Sequence, residues 1–310
     1  MFGDRVARAV TARASQLVLG LDPDPGKLWP AAIESLKLAP TTSGTSLNAP
    51  GECAARAVAA HCRLVIEAAG EHCVAIKLQL ACFERLGAPG WEALASVVAA
   101  AREHELLVLA DGKRGDIDVS AAAYAQAFFG ETPTPFGAVP GLRADALTVN
   151  PLMGRDSLAP FAAAARAAAA GLFVLVRTSN PGAQDIQDQQ LAGDGTVAEA
   201  LAGIVHELGA DGVGSSGLAD VGAVVGATAP DRLAALRERM PQAIFLLPGV
   251  GAQGGRIESL REAFAPGPGG GLITVSRGIV AAHEKAGGEP AAAARTEAAR
   301  LRAEAWSLAG

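Results

Sequence analysis

Charged side chains gather where three apolar runs end. The run Leu107-Val108-Leu109-Ala110 leads directly into Asp111-Gly112-Lys113-Arg114-Gly115-Asp116-Ile117. On an extended chain Asp111 and Lys113, two residues apart, leave on the same face, with backbones roughly 7 Å apart. A second lysine, Lys77, follows Cys73-Val74-Ala75-Ile76, and a carboxylate, Asp22, ends Leu17-Val18-Leu19-Gly20-Leu21. A lysine at the end of an apolar strand costs desolvation unless a carboxylate is near. Singly, each charge is compatible with a local salt bridge. Together they form an alternating Asp/Lys network of the kind that stabilises developing charge. Asp-x-Lys-x-x-Asp by itself equally suits a solvated strand end opening a helix, with Asp116 or Asp118 as the N-cap.

The chemistry at the other end of the chain is anion binding. Phe245-Leu246-Leu247-Pro248 runs into Gly249-Val250-Gly251-Ala252-Gln253-Gly254-Gly255, whose glycines permit positive φ and let amides face an anion. Ile273-Thr274-Val275-Ser276 then delivers Arg277, able to pair bidentately with a phosphate. A glycine-rich loop is also simply a tight turn. Its place before a strand that ends in arginine makes phosphate the better reading.

These groups need a scaffold that brings strand ends together. Eight short apolar runs read as strands: Gln16–Asp22, Cys73–Gln79, Leu106–Asp111, Ala146–Val149, Leu172–Thr178, Val221–Gly226, Ala243–Pro248 and Leu272–Val275. They are apolar throughout, as strands buried on both faces of a parallel sheet must be. Between them lie helical patterns near Glu52–Ala69, Trp91–Glu103, Val119–Phe129, Ser157–Ala170, Val197–Leu208 and Asp231–Arg239. Eight such repeats predict a single-domain (β/α)8 barrel over residues 1–310, whose catalytic groups sit at the carboxyl ends of the strands. The first strand is not followed by G-x-G-x-x-G, which disfavours a dinucleotide fold. Pro40–Pro50 and Glu131–Arg143 read as surface insertions, and the segment after Gly287 as an Ala/Arg/Glu helix packed on the outside.

Composition narrows the function. Half of the 310 residues are apolar and 19% are charged, enough for a large core, and the net charge of −6 with scattered arginines offers nucleic acid no basic surface. Cys53, Cys62, Cys73 and Cys82 lack C-x-x-C spacing and fall on apolar segments, where a thiol behaves as a small hydrophobe. His61, His72, His104, His206 and His283 show no ligand spacing either, so no metal site is expected. Met1–Gln16 has no apolar core like that of a secretory signal, and the Ala-rich run Phe161–Gly171 is interrupted by Arg166 and too short to span a bilayer. A cytoplasmic protein is expected.

The motifs resemble those of the orotidine 5'-phosphate decarboxylase family, most closely its longer bacterial branch. The resemblance rests on Gly20-Leu21-Asp22, Ile76-Lys77, Ala110 through Ile117, Thr178-Ser179-Asn180-Pro181-Gly182, Val225-Gly226-Ala227-Thr228, Pro248 through Gly255 and Ser276-Arg277. It covers nearly the whole chain in the family's order. The Ala110–Ile117 and Pro248–Gly255 stretches are its most specific parts.

The resemblance implies a cofactor-independent enzyme that converts orotidine monophosphate to uridine monophosphate and carbon dioxide. Lys77, Asp111 and Lys113 would form the charged array, with Lys113 as proton donor and Asp116 contributed by the partner of a homodimer with shared sites. Asp22 would hold the ribose hydroxyls and Ser179 the pyrimidine. Gln253 and Arg277, with the Gly249–Gly251 turn, would take the phosphate. Ser120 stands where the family often has threonine, keeping a substrate-binding hydroxyl, and Leu78 replaces a common proline after Lys77. Two rivals remain in view: a magnesium-dependent sugar-phosphate decarboxylase or hexulose-phosphate synthase with a similar Asp-x-Lys-x-x-Asp motif, and a silent nucleotide-binding barrel. The first fits Ser-Asn-Pro-Gly and Pro-Gly-Val-Gly-Ala-Gln-Gly poorly. The second would be expected to have lost a member of the lysine/aspartate array.

Overall fold

The computed structural model describes residues 1–38, 50–193 and 195–309. Eight parallel strands close into a barrel: β1 (Leu17–Leu21), β2 (Ala75–Gln79), β3 (Leu107–Arg114), β4 (Ala146–Val149), β5 (Gly171–Arg177), β6 (Val221–Val225), β7 (Phe245–Pro248) and β8 (Gly271–Val275). Each strand pairs with its neighbours in sequence, and β8 closes on β1 through Leu17↔Ile273 and Val18↔Thr274. All eight expected strands are present, so the (β/α)8 fold read from the sequence is the observed one. Most of the expected insertion at residues 40–50 lies outside the described residues.

The apolar runs form strands because both faces of each are covered. Outward residues such as Leu19, Ile76, Val108, Leu147 and Phe245 pack with the surrounding helices, among them α3 (Pro50–Ala69), α4 (Ala88–Glu103), α6 (Arg155–Ala167) and α7 (Val197–Gly209). Inward residues Val18, Leu109, Ala146, Phe173, Leu246 and Leu272 fill the barrel. The terminal helix α9 (Pro290–Ala309) lies outside, as expected, burying Ala294, Ala298, Leu301 and Ala305. Glu131–Arg143 contains a small hairpin, Glu131–Thr132 paired with Val139–Pro140.

A helix not expected from the sequence pattern precedes β1: α1 (Phe2–Arg13). Phe2, Val6 and Val10 recur every four residues, so they form one helical stripe. That stripe joins the inward cluster and plugs the amino-terminal mouth, with Phe2 edge-on to Phe173 at 6.0 Å between centroids. Arg5 pairs with buried Asp145, whose other oxygen accepts the Val108 amide at 2.8 Å. The described cavity lies at the opposite, carboxyl end of the barrel. A short helix, α2 (Pro30–Leu38), is likewise additional to the expected elements; α5 (Asp118–Phe128) and α8 (Leu233–Arg239) fall where helical patterns were expected.

The cysteines divide. Cys62 and Cys73 are buried and Cys82 is half-buried, but Cys53 lies on the exposed side of α3, against the expectation that all four fill the core. Among the described residues, no helix is long and apolar enough to cross a membrane.

Candidate active site

At the carboxyl mouth the strand ends surround a cavity of about 380 Å³. Asp22, Lys77, Asp111 and Lys113 line one side of it; Ser179, Gly249, Gln253 and Arg277 line the other. The register explains the first group. Lys77 lies opposite Gly20 on one side and Leu109 on the other, and Asp111 lies opposite Gln79, so the charges emerge in adjacent layers of the mouth.

Asp111 is the hub. Lys77 Nζ donates to its Oδ2 at 2.6 Å, and Lys113 Nζ donates to its Oδ1 at 2.5 Å. The Thr148 hydroxyl donates to Oδ1 at 2.9 Å, and Gln79 Nε2 approaches Oδ2 at 3.4 Å. Asp22 stands 3.7 Å from Lys77 Nζ. Two ammonium and two carboxylate groups therefore cancel formally. Burial disfavours the Asp111 carboxylate, but Lys77 and Lys113 outweigh burial and hold its pKa at about 2. Burial likewise opposes the Lys77 ammonium, yet Asp111 and then Asp22 reverse the balance and raise its pKa. Both groups are ionised at neutral pH.

The meeting of Asp111 with Lys113 does not come from a regular strand. The pairing of β3 with β4 slips between Ala110 and Arg114, and Lys113 is left-handed at φ 48°. That conformation costs a non-glycine residue about 1–2 kcal/mol. Thr148 secures it: its Oγ1 accepts the Lys113 amide at 2.9 Å while donating to Asp111. Arg114, between the catalytic candidates in sequence, turns away, pairing with Glu84 and lying 5.5 Å from the Tyr124 ring centroid. Neither Asp116 nor Asp118 caps α5. Ile117 occupies the N-cap position without a side-chain cap, and Asp116 Oδ1 accepts the adjacent Ile117 amide at 2.9 Å.

Opposite the array, the turn after β7 is built on close approach. Gly249 has φ 104°, and a Cβ there would lie 2.9 Å from Gln253 Oε1 and 3.1 Å from Ser179 Cβ. Several of its amides are already committed: Gly251 N–H donates to Gly255 O at 2.9 Å and Gly255 N–H to Gly249 O at 3.0 Å. The turn is thus tight, and Gly251 lines an adjoining groove rather than the central cavity. Arg277 is exposed at the rim beyond β8, with no ion pair among the described residues. Gly20 lets β8 approach, since a Cβ there would overlap Ser276 Oγ at 1.9 Å.

The single chain does not bring every candidate together. Asp116 is half-buried and Ser120 is exposed, both outside the cavity lining. Thr148, Thr274 and Gln79 line the cavity without having been singled out in the sequence. Thr274 Oγ1 is buried without a hydrogen-bond partner there. Only a polar residue inside an apolar strand marked these positions.

The model of the orotidine 5'-phosphate decarboxylase / HUMPS family matches residues 15–295. The chain belongs to that family. Similar relatives include the orotidine 5'-phosphate decarboxylase of Deinococcus radiodurans, 46% identical over 77% of this chain and 82% of that one. That of Halobacterium salinarum is 37% identical over 96% of both chains. A crystal structure from Streptomyces avermitilis, described as an orotidine 5'-phosphate decarboxylase, superposes with a TM-score of 0.76 at 34% identity, covering 99% of this chain and 95% of that one. Membership accounts for the strict order of the family motifs along β1, β2, β3, β5, β7 and β8.

Proposed function

We propose that this chain decarboxylates orotidine 5'-monophosphate to uridine 5'-monophosphate in pyrimidine nucleotide synthesis, the activity for which its relatives are named. The observation that carries this reading is the buried carboxylate of Asp111 held between two ammonium groups, sharing one cavity with a glycine turn and with Arg277, which has no ion pair among the described residues.

In the reaction the bond between C6 and the carboxylate breaks, carbon dioxide leaves, and the electron pair remains on C6. Lys113, half exposed to the cavity, donates a proton from Nζ to C6 and is reprotonated from solvent. Asp111 and Lys77 fix that ammonium in place before substrate arrives, so no reorganisation is needed as charge develops. The substrate carboxylate, set against Asp111, would be disfavoured relative to neutral carbon dioxide. One preorganised charge supplies about 3–4 kcal/mol, whereas large enzymatic accelerations need about 8–23 kcal/mol. The difference must come from binding energy at groups remote from C6, which is the role of Asp22 on the ribose, Ser179 on the pyrimidine, and Gln253 and Arg277 on the phosphate.

Asp116 and Ser120 fit this scheme as groups acting in the partner's site of a homodimer. They flank Ile117 and Val119, which are 47% and 82% exposed; Leu152 (81%) and Met153 (46%) lie beyond β4. Gly115 packs against Asn150 and Met153, which brings together two segments that both carry exposed apolar side chains. Exposed apolar surface of this kind is expected at an interface. Unpaired core thiols fit a cytoplasmic setting. The test is to incubate the protein with orotidine monophosphate and, separately, with a sugar phosphate plus magnesium. Formation of uridine monophosphate supports the reading; turnover of the sugar phosphate alone would replace it.

A further inference from the structure

Within the segment bearing Ser179, Thr178 Oγ1 donates to Asn180 Oδ1 at 2.7 Å, but its backbone is held from outside. Thr178, Ser179 and Asn180 line the cavity, but the groups that fix their backbone stand behind them and do not touch it. Gln187 Oε1 accepts the Thr178 amide at 2.7 Å. The Arg177 guanidinium, buried at the end of β5, donates through Nη1 to the Thr178 carbonyl at 2.6 Å. Its Nε and Nη2 grip Asp188 side-on at 3.3 and 2.9 Å, and that hydrogen bonding lowers the Asp188 pKa. One residue further, the Thr228 hydroxyl donates to the Ser179 carbonyl at 3.0 Å. The Ser179 backbone also lies so close to Gly226 that a Cβ there would sit 2.7 Å from Ser179 Cα.

These supports are anchored in turn. The Gln187 and Asp188 amides both donate to Ala183 O, at 2.8 and 3.2 Å, and the Gln187 carbonyl accepts the Ala198 amide at 2.9 Å. Ala198 belongs to the first turn of α7, which a reciprocal Thr196/Glu199 capping box fixes. A continuous chain of hydrogen bonds therefore runs from the α7 N-terminus through Gln187 and Asp188 to the peptide groups on either side of Thr178.

We propose that Gln187 and the Arg177–Asp188 ion pair are positioning residues for base recognition: they set the Ser179 segment against the pyrimidine and act on substrate only through it. The inference rests on the decarboxylase reading, in which Ser179 meets the base. It assigns specificity to residues that the cavity lining omits. Because the residues assigned to phosphate lie in the turns beyond β7 and β8, loosening the clamp should weaken recognition of the base and spare that of the phosphate.

Calorimetric titration with two probes separates these effects: uridine monophosphate carries base and phosphate, ribose 5-phosphate the phosphate without the base. Gln187→Met keeps the side-chain length but loses the acceptor, and Gln187→Glu keeps an acceptor oxygen. Asp188→Asn weakens the grip on Arg177 by a second route. Loss of one such hydrogen bond predicts about tenfold weaker uridine monophosphate binding by Gln187→Met and by Asp188→Asn, with ribose 5-phosphate affinity unchanged and Gln187→Glu near wild type. KM for orotidine monophosphate should rise in the same two variants. Unchanged uridine monophosphate binding in both, or an equal loss for both probes, would overturn the proposal. A wild-type protein that binds uridine monophosphate but does not decarboxylate would instead overturn the reading on which it rests. The unchanged ribose 5-phosphate titration reports that a variant has folded, and Asp188→Asn decides between the outcomes where Gln187→Met does not fold.

Discussion

Replacing Thr148 by valine should separate the geometry of the charged array from its composition. The substitution keeps the shape of a side chain that is 2% exposed and removes one hydroxyl. That hydroxyl makes two bonds of 2.9 Å, accepting from the Lys113 amide and donating to Asp111 Oδ1. An amide left without its acceptor costs about 1–3 kcal/mol, and a hydrogen bond to a charged group contributes about 1.5–3 kcal/mol. Asp111 retains three donors and Lys113 is partly solvated, so the lower ends apply. The expected loss of folding stability is therefore about 2–3 kcal/mol, measurable by urea unfolding. Catalysis should suffer more than binding. Lys113 is left-handed and relies on this bond, and a displacement near 1 Å costs about 10²-fold in rate. We expect kcat for orotidine monophosphate to fall by about 10–100-fold with little change in KM, and Thr148→Ser to recover most of it. A Thr148→Val enzyme with wild-type kcat would show that the Thr148 hydroxyl does not position Lys113.

Arg277→Ala should raise KM strongly and also lower kcat, since phosphate binding energy orders the site; equal kcat/KM in variant and wild type would remove the phosphate assignment. Lys113→Ala and Asp116→Ala should each be nearly inactive as homodimers. An equal mixture after subunit exchange should recover roughly one quarter of wild-type activity, because half of the dimers then hold one intact site. Demonstrated exchange without recovery would place Asp116 in its own subunit. Asp111 carries a pH signature. Its folded pKa, about 2, lies below the ordinary 3.8, so its contribution to stability is complete above about pH 4 and is lost as pH falls through about 2. The stability gap between wild type and Asp111→Asn in urea should accordingly stay constant from about pH 7 to 5 and shrink below about pH 4; shrinkage already above pH 5 would contradict the ion-pair geometry.

The barrel was legible because strands buried on both faces must be apolar throughout, and charges at the ends of three such runs have one place to meet. Lys77, Asp111 and Asp22 were readable from that contrast alone. Thr148 was not: a lone hydroxyl inside Ala146-Leu147-Thr148-Val149 is ordinary in a strand, and its value depends on a slip in the β3–β4 register that the sequence does not announce. The left-handed turn fell on Lys113 rather than on neighbouring Gly112, against the conformational preference of the two residues. Arg177 and Asp188, eleven residues apart on unlike segments, carried no shared pattern. In α1, Phe2, Val6 and Val10 did carry a readable stripe, but three apolar positions among arginines and alanines are easily passed over.

In the proposed reaction Lys113, held by Asp111, protonates C6 without help from a metal. Its most direct test is the stoichiometric conversion of orotidine monophosphate to uridine monophosphate and carbon dioxide in chelator, for wild type and Lys113→Ala. Wild-type turnover should be undiminished, with a loss of at least roughly 10²–10³-fold in the variant. Wild-type activity that vanishes with chelation and returns with magnesium, or a Lys113→Ala enzyme that keeps its rate, would contradict it.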